Sequence, residues 1–359
     1  MLKTLRQGDF KGKKILVRVD YNVELDDIKN VHEHFRFHVV KETLRFLSEQ
    51  EGSRIALLTH FGRPKAGVYD AASSTERLVA SVARATGKKV IFVPDCTGEV
   101  VLKALAEQEP GELLLLENVR FKKGEEEGDI ELAKDLARPF DAFVNEAFSV
   151  CHRNHASVTV IPKFLPSFAG YRLIEEMEKL DQTRSNPDHP AIAIIGGAKI
   201  ETKLPLIKAL EPNYDCILVG GMIANEAIDQ KIEFSSKVLL PIDFNAPERF
   251  DIGAQTIAYF SKIIKTAKTI VWNGPLGKFE EKPYDIGTNA ILHAILDTEA
   301  EVVIGGGESL AVLEAVGAMS RVSFVSSGGG AMLEYMSGVE LPGIAALKNA
   351  RVQEVASSL

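Results

Sequence analysis

The chain is poor in cysteine. Its three, Cys96, Cys151 and Cys216, lie far apart with no CxxC spacing, which argues against a zinc cage or a disulfide framework and fits reduced thiols. No apolar run is long enough to span a bilayer, because charged residues interrupt every candidate. Met1–Arg6 lack the apolar core and cleavage site of a signal peptide, so a cytoplasmic protein without a membrane partner is expected. Neither GxxxxGKS/T nor GxGxxG occurs, which removes the P-loop and the dinucleotide fingerprint. Positive charge is short as well. A formal net charge of −8 argues against nucleic acid as a bulk partner and leaves room only for a local basic cleft. There is no sequence repeat, low-complexity tract or long linker.

What is present is ordinary globular material: 359 residues, 45% hydrophobic and 26% charged, a length that favours two domains. Ten apolar runs of strand length punctuate the chain. Lys14–Asp20, Arg54–His60, Lys89–Val93, Leu113–Glu117 and Ala142–Glu146 fall in the first half. Ala191–Ile195, Cys216–Val219, Thr269–Trp272, Val302–Ile304 and Val322–Val325 fall in the second. Amphipathic segments such as His38–Glu49, Thr75–Ala85, Thr256–Ile264 and Thr288–Leu296 lie between them. Apolar runs alternating with helical patterns predict parallel sheets covered by helices on both faces. Ten runs are too many for one ordinary open sheet and disfavour a closed eight-stranded barrel. The fold class expected is α/β, with two doubly wound, Rossmann-like parallel-sheet domains. The break between them falls in the Pro162–Pro190 region, where a helix over Tyr171–Asp181 leads into the polar stretch Thr183–Asp188.

In open parallel sheets, ligands bind beyond the carboxyl ends of the strands. In the first half those ends read Arg18-Val19-Asp20-Tyr21-Asn22, His60-Phe61-Gly62-Arg63, Glu117-Asn118-Val119-Arg120 and Cys151-His152-Arg153-Asn154-His155, with Arg36 opening a helix. Arginine's planar fork suits phosphate and carboxylate oxygens. One arginine at a strand end is usually a surface ion pair; five on one edge predict a small polyanionic ligand. The second half instead ends its strands in Gly196-Gly197, Gly220-Gly221, Asn273-Gly274, Gly305-Gly306-Gly307 and Gly328-Gly329-Gly330. Glycine lets backbone approach a ligand, and a helix N-terminus beyond it offers free N–H groups to phosphate. One glycine pair is more often a tight turn than a site; five in register predict a nucleotide along that edge. Lys199 and Lys203, four apart, are expected on one helix face near its phosphates. Neither half carries a nucleophile–base pair, which a hydrolase would need. A kinase whose acceptor is already an anion needs only charge neutralisation and alignment.

At these segments, and over nearly its whole length, the chain resembles the phosphoglycerate kinase family. Further matching segments are His152-Arg153-Asn154-His155-Ala156-Ser157, Gly196-Gly197-Ala198-Lys199, Trp272-Asn273-Gly274-Pro275 and Ser327-Gly328-Gly329-Gly330-Ala331. The resemblance implies reversible, magnesium-dependent phosphoryl transfer between 1,3-bisphosphoglycerate and ADP, giving 3-phosphoglycerate and ATP. It implies a phosphoglycerate-binding domain over residues 1–170, a nucleotide-binding domain over 171–342, a hinge helix joining them, and a tail, 343–359, packed back on the first domain. It places Arg18, Asp20, Asn22, Arg36, His60, Arg63, Arg120, His152 and Arg153 at the phosphoglycerate. It assigns Gly196, Gly197, Lys199, Lys203, Gly220, Asn273, Pro275, Glu280, Gly306, Gly307, Glu308 and Ser309 to the nucleotide. Arg36, Lys199 and Lys203 become the catalytic cations and Glu308 the ligand of Mg2+. A monomer whose domains close about a hinge completes the expectation.

This sequence departs from the family pattern at several places. Glu308 stands where the family usually has Asp, Ser149-Val150 where it has Gly-Thr, and Glu24 where it has proline. The stretch Ile228–Asp251 is also shorter than is common. A non-catalytic nucleotide-binding homologue is the runner-up reading, and a nicotinamide-dependent dehydrogenase the third. Retention of Arg36, Lys199 and Lys203 opposes the first, and the missing fingerprint the second. His32, His34 and His38 could be taken for metal ligands, but no acidic or cysteine partner follows in helical register, and a solvated, partly packed cluster is expected.

Overall fold

Buried apolar residues fill the strands almost end to end, as they must when both faces of a parallel sheet are covered. The computed structural model describes residues 2–23, 35–245 and 247–350. Glu24, His32, His34 and the tail beyond residue 350 lie outside the described residues. Contacts divide the chain into two units, Met1–Glu175 with Glu340–Leu359, and Glu176–Val339.

The first unit holds β1 (Lys14–Arg18), β2 (Arg54–Leu58), β3 (Val90–Val93), β4 (Leu113–Leu116), β5 (Ala142–Asn145) and β6 (Ser167–Ala169). They form one sheet of order β3-β4-β2-β1-β5-β6, every pairing parallel. The chain leaves β1 toward β2 and later returns to its other side as β5, so the strand order reverses between β1 and β5. That crevice is where ligands of such sheets bind. Arg18 pairs in register with Leu58 on one side and Asn145 on the other, so the loops after β1, β2 and β5 leave the sheet at one level. The short helix Pro342–Lys348 also belongs to this unit, and Gly343 N–H donates to the Cys151 carbonyl at 2.8 Å.

The second unit holds β7 (Ala191–Ile195), β8 (Cys216–Val219), β9 (Val238–Leu239), β10 (Thr269–Asn273), β11 (Glu301–Gly305) and β12 (Phe324–Ser326). Its order is β12-β11-β10-β7-β8-β9, again all parallel. Here the reversal lies between β7 and β10. Ile195, Asn273, Gly305 and Ser326 are mutually in register, which aligns the glycine-bearing loops along one edge.

Ten of these twelve strands match the apolar runs. The two extra ones, β6 and β9, have three and two residues, too few for a pattern to show. The helix expected over His38–Glu49 is two, Phe35–His38 and Lys41–Ser48. The one expected over Thr75–Ala85 begins as a 3-10 turn, Thr75–Leu78, and becomes α-helical over Val79–Thr86. The helix read as Tyr171–Asp181 runs on to Ser185. Its polar end is helical because its last carbonyls find donors: Tyr214 Oη–H bonds the Thr183 carbonyl at 2.9 Å and Asn213 Nδ2 that of Arg184 at 3.0 Å. At the other end the buried carboxylate of Glu146 accepts from Arg172 and Leu173 N–H, both at 3.1 Å.

Candidate functional site

At the carboxyl edge of the first sheet a buried histidine lies within the field of four arginines. His60, buried just past β2, has its pKa held well below the ordinary value, by burial first and then by Arg18, Arg120, Arg36 and Arg153. Four of the five arginines singled out from the sequence thus act on one imidazole. Arg18 Nη2 lies 3.2 Å from His60 Nδ1. Since guanidinium can only donate, Nδ1 is the unprotonated nitrogen and Nε2–H is the donor the ring has left.

The arginines differ in kind. Arg63 and Arg153 are exposed, Arg36 is partly so, and Arg120 is buried with Nη1 donating to the Gly62 carbonyl at 2.7 Å and Nε 3.1 Å from Glu126 Oε1. Arg18, expected at the ligand, is fully enclosed. Its Nε donates to Ser157 Oγ at 3.0 Å, and Ser157 Oγ donates in turn to Glu125 Oε1. Burial lowers its pKa to about 10, against the pull of Glu125. Arg18 therefore stands behind His60 and shapes the edge without lining it. A buried arginine needs such a partner, and Glu125 is the residue sequence reasoning missed: nothing in Gly124-Glu125-Glu126-Glu127 distinguishes the one buried carboxylate from its exposed neighbours. His155, in the same motif as His152 and Arg153, is a second residue whose part the sequence does not show. It is buried 3.7 Å from Glu125 Oε1, and burial together with Arg18, Arg120 and Arg153 pushes its pKa down to about 3, so it is neutral.

Asp20 gathers the other side of the crevice. Its carboxylate pairs with Arg36 and accepts from Ser149 Oγ, while its Oδ1 accepts from Asn22 N–H at 3.0 Å. Asn22 Oδ1 then accepts from Gly62 N–H at 2.8 Å, tying the loops after β1 and β2 together. Glu117 and Asn118 are buried braces. Glu117 accepts from Thr75 N–H at 2.8 Å, and Asn118 Nδ2 donates to the Phe61 and Ser73 carbonyls. His152 is half-buried beside Arg153, and burial, then Arg153, lowers its pKa.

The edge of the second sheet is made of backbone. Gly196 and Gly274 cross so closely that a Cβ on Gly196 would stand 2.0 Å from the Pro275 carbonyl oxygen, and one on Gly274 2.4 Å from that of Gly196. Gly196 N–H donates to the Asn273 carbonyl at 2.9 Å, Gly197 N–H to Pro275 at 3.0 Å, and Gly221 N–H to Leu276 at 2.9 Å. At Gly196 and the Gly220-Gly221 pair, expected along the ligand's path, the close approach is of loop to loop, whereas a Cβ on Gly197 would reach only the Lys203 side chain, at 3.6 Å. Open backbone appears further along. At Gly307 an added Cβ would meet nothing within 4 Å, and the helix Gly307–Ala315 has no side-chain cap on its N-terminal donors. Ser309, expected at the nucleotide, is buried and accepts from Gly274 N–H at 2.7 Å, so it holds the loop. Trp272 Nε1–H, also buried, donates to the Gly274 carbonyl at 2.8 Å.

Lys199 and Lys203 do not share an environment. Lys199 precedes the helix Ile200–Leu210 in extended conformation and is exposed, so the four-residue spacing does not place it on that helix's face. Lys203 is buried with Nζ donating to Asn273 Oδ1; burial lowers its pKa to about 8, partly offset by Glu308. Glu308, in the first turn of the helix Gly307–Ala315, has its carboxyl pKa raised by desolvation first and by Glu280 second, with Lys203 opposing. Asn273, Lys203, Glu308 and Glu280 therefore face one neighbourhood, beside Pro275 and Gly306. No cluster of three or more His, Cys, Asp or Glu able to hold a metal exists among the described residues, which rules out a dedicated protein cage there. One carboxylate beside open N–H donors does fit an ion that arrives on phosphate oxygens.

Comparison with known proteins bears on both edges. The sequence profile of the family described as phosphoglycerate kinase matches residues 5–239 and 230–339. The chain is 39% identical to the phosphoglycerate kinase of Rhodospirillum centenum, covering 96% of this chain and 99% of that protein. It is 36% identical to that of Desulforapulum autotrophicum over 396 aligned positions, covering 96% of this chain and 100% of that protein. Those positions exceed the chain's own length, so this chain is the shorter of the two. Among solved structures, phosphoglycerate kinase from Coxiella burnetii superposes with a TM-score of 0.81 at 30% identity, covering 98% of this chain and 100% of the other. That from Pyrococcus horikoshii gives 0.84 at 29%, covering 97% and 98%.

Proposed function

The chain belongs to the phosphoglycerate kinase family, and on that premise we propose how its residues divide the work. The reaction is phosphoryl transfer between 1,3-bisphosphoglycerate and ADP, giving 3-phosphoglycerate and ATP, a reversible step of glycolysis. The observation that carries the division is His60, in contact with Arg18 and within the electrostatic reach of Arg36, Arg120 and Arg153. A neutral imidazole donating from Nε2, amid guanidinium groups that stay charged at neutral pH, recognises a small phosphate- and carboxylate-bearing acid.

In this reading residues 1–170 bind phosphoglycerate and residues 171–342 the nucleotide, with the helix Pro342–Lys348 returning to the first domain. Arg63, Arg120 and Arg153 hold the acid with Asp20, Asn22 and His152, and Arg18 supports them from behind. Arg36 and Lys203 neutralise charge on the phosphoryl group in transit, and Lys199 meets the outer phosphate oxygens. Gly306 and Gly307 bring backbone N–H groups to the phosphates, while Asn273, Pro275 and Glu280 border the rest of the nucleotide. Glu308 holds Mg2+, which, bound with the nucleotide, supplies further neutralisation of phosphate charge. No general base is needed, because the acceptor carboxylate is already ionised. The protein works as a cytoplasmic monomer.

A coupled assay with 3-phosphoglycerate, ATP and magnesium tests this. Turnover lost in Arg36→Ala with ADP binding unchanged supports the division. Wild-type protein that binds both ligands without turnover would restore the non-catalytic alternative.

A further inference from the structure

The loop over 274–285 carries Pro275 and Glu280, and one carboxylate outside it packs against Gly277 near the loop's start and bonds the helix that follows its end. Asp251 is almost wholly buried. Its Oδ2 accepts from Gly287 N–H at 2.7 Å, at the start of the helix Ile286–Leu296. The residue preceding that helix, Asp285, makes no side-chain cap, so Asp251 caps the helix from elsewhere in the chain. Its Oδ1 accepts from Ile252 N–H at 2.9 Å. A Cβ added to Gly277 or to Gly287 would stand 2.3 Å from that same Oδ1, so the loop's beginning and the residue just after its end close on a single group. Two further bonds finish the clamp: Lys278 N–H to the Phe250 carbonyl at 2.8 Å, and Leu276 N–H to Thr288 Oγ1 at 3.0 Å. Asp251 is itself held by Asn245, whose Oδ1 accepts from Asp251 N–H at 2.8 Å.

We propose that Asp251 is a positioning residue of the nucleotide edge, setting nucleotide affinity by fixing loop 274–285 without touching the nucleotide. The proposal rests on the assignment of the nucleotide to the second unit. A carboxylate suits the position because it offers an acceptor to each of two N–H groups and a negative charge to a helix N-terminus. Asparagine supplies only one acceptor. Glutamate adds a methylene for which Gly277 and Gly287 leave no space.

The test compares Asp251→Asn, Asn245→Ala and wild type by calorimetric binding of ADP and, separately, of 3-phosphoglycerate, with kcat at saturating nucleotide. Asp251→Asn is expected to weaken ADP binding roughly five- to fiftyfold, the scale of one buried acceptor lost, with 3-phosphoglycerate affinity unchanged and kcat within about threefold. Asn245→Ala, milder, keeps the proposal testable if Asp251→Asn does not fold, and should weaken ADP binding about two- to fivefold. ADP affinity within twofold of wild type in the folded variants overturns the proposal, and so does an equal loss for both ligands. Wild type that binds no ADP overturns it together with the assignment beneath it.

Discussion

The two sheets share a topology and differ in what they place at their carboxyl edge. The first edge is chemical. Arginines act on a neutral histidine, and their charges are set against Glu125, Glu126 and Asp20. The second edge is steric. Its glycines are spent on crossing one another, and the open donors are left at Gly307. An edge built from side chains changes one charge at a time, whereas an edge built from backbone fails wherever a methyl group intrudes.

The largest effects should come where each edge contributes a cation. Arg36→Ala and Lys203→Ala are expected to lower kcat by roughly two to three decades with little change in KM, whereas Arg63→Ala should mainly raise KM for phosphoglycerate. Steady-state kinetics decide this; kcat within about threefold of wild type would remove either residue from the transferring group.

Next in size is the steric contrast. Gly196→Ala drives a methyl into the Pro275 carbonyl and should cost about 1–3 kcal/mol of unfolding free energy. Gly307→Ala meets nothing, so its melting temperature should hold while the KM for ADP rises. Denaturant unfolding beside kinetics separates the two, and equal destabilisation would erase the distinction between spent and open glycines.

Lys203 gives a smaller effect that runs in opposite directions for rate and stability. Its folded pKa is about 8, below the ordinary 10.5. Above pH 8 the folded protein has lost a proton that the unfolded chain keeps up to about 10.5, so this group's contribution to stability rises with pH across that window. Activity should fall about tenfold per pH unit over the same range as the charge is lost. A kcat profile flat to pH 9.5 would show that the charge of Lys203 does not serve the reaction.

The smallest expected change is in metal demand. Glu308 is one methylene longer than aspartate, and magnesium tolerates distorted coordination poorly. Glu308→Asp should therefore lower the magnesium needed for half-activation by less than about tenfold, manganese should partly substitute in the wild type, and Glu308→Gln should lose most activity. Identical magnesium titrations for wild type and Glu308→Gln would place the ion elsewhere.

The strands were legible because covering both faces of a sheet forces an unbroken apolar run; β6 and β9 are too short to show one. Arginine positions were legible too, but their burial was not. Arg18 and Arg63 look alike at strand ends. What encloses Arg18 is Ser157, 139 residues along the chain, together with Glu125. The glycine pattern misled for a related reason. Sequence shows where backbone can come close, and only the fold shows that Gly196 meets Pro275. Asp251, in the shortened stretch, carries no local signal at all, since a capping residue is conspicuous only next to its own helix.

Trp272, the chain's single tryptophan, lies in β10 with its indole buried and bonded to Gly274. It makes the molecule optically lopsided: all indole emission originates at the glycine crossing and none in the arginine-lined unit. Its fluorescence should be blue-shifted in the native state and should follow the melting of the second sheet alone. Tyrosine emission or circular dichroism is then needed to see the first sheet. A denaturation curve read at both signals would show, without any label, whether the two units lose their structure together.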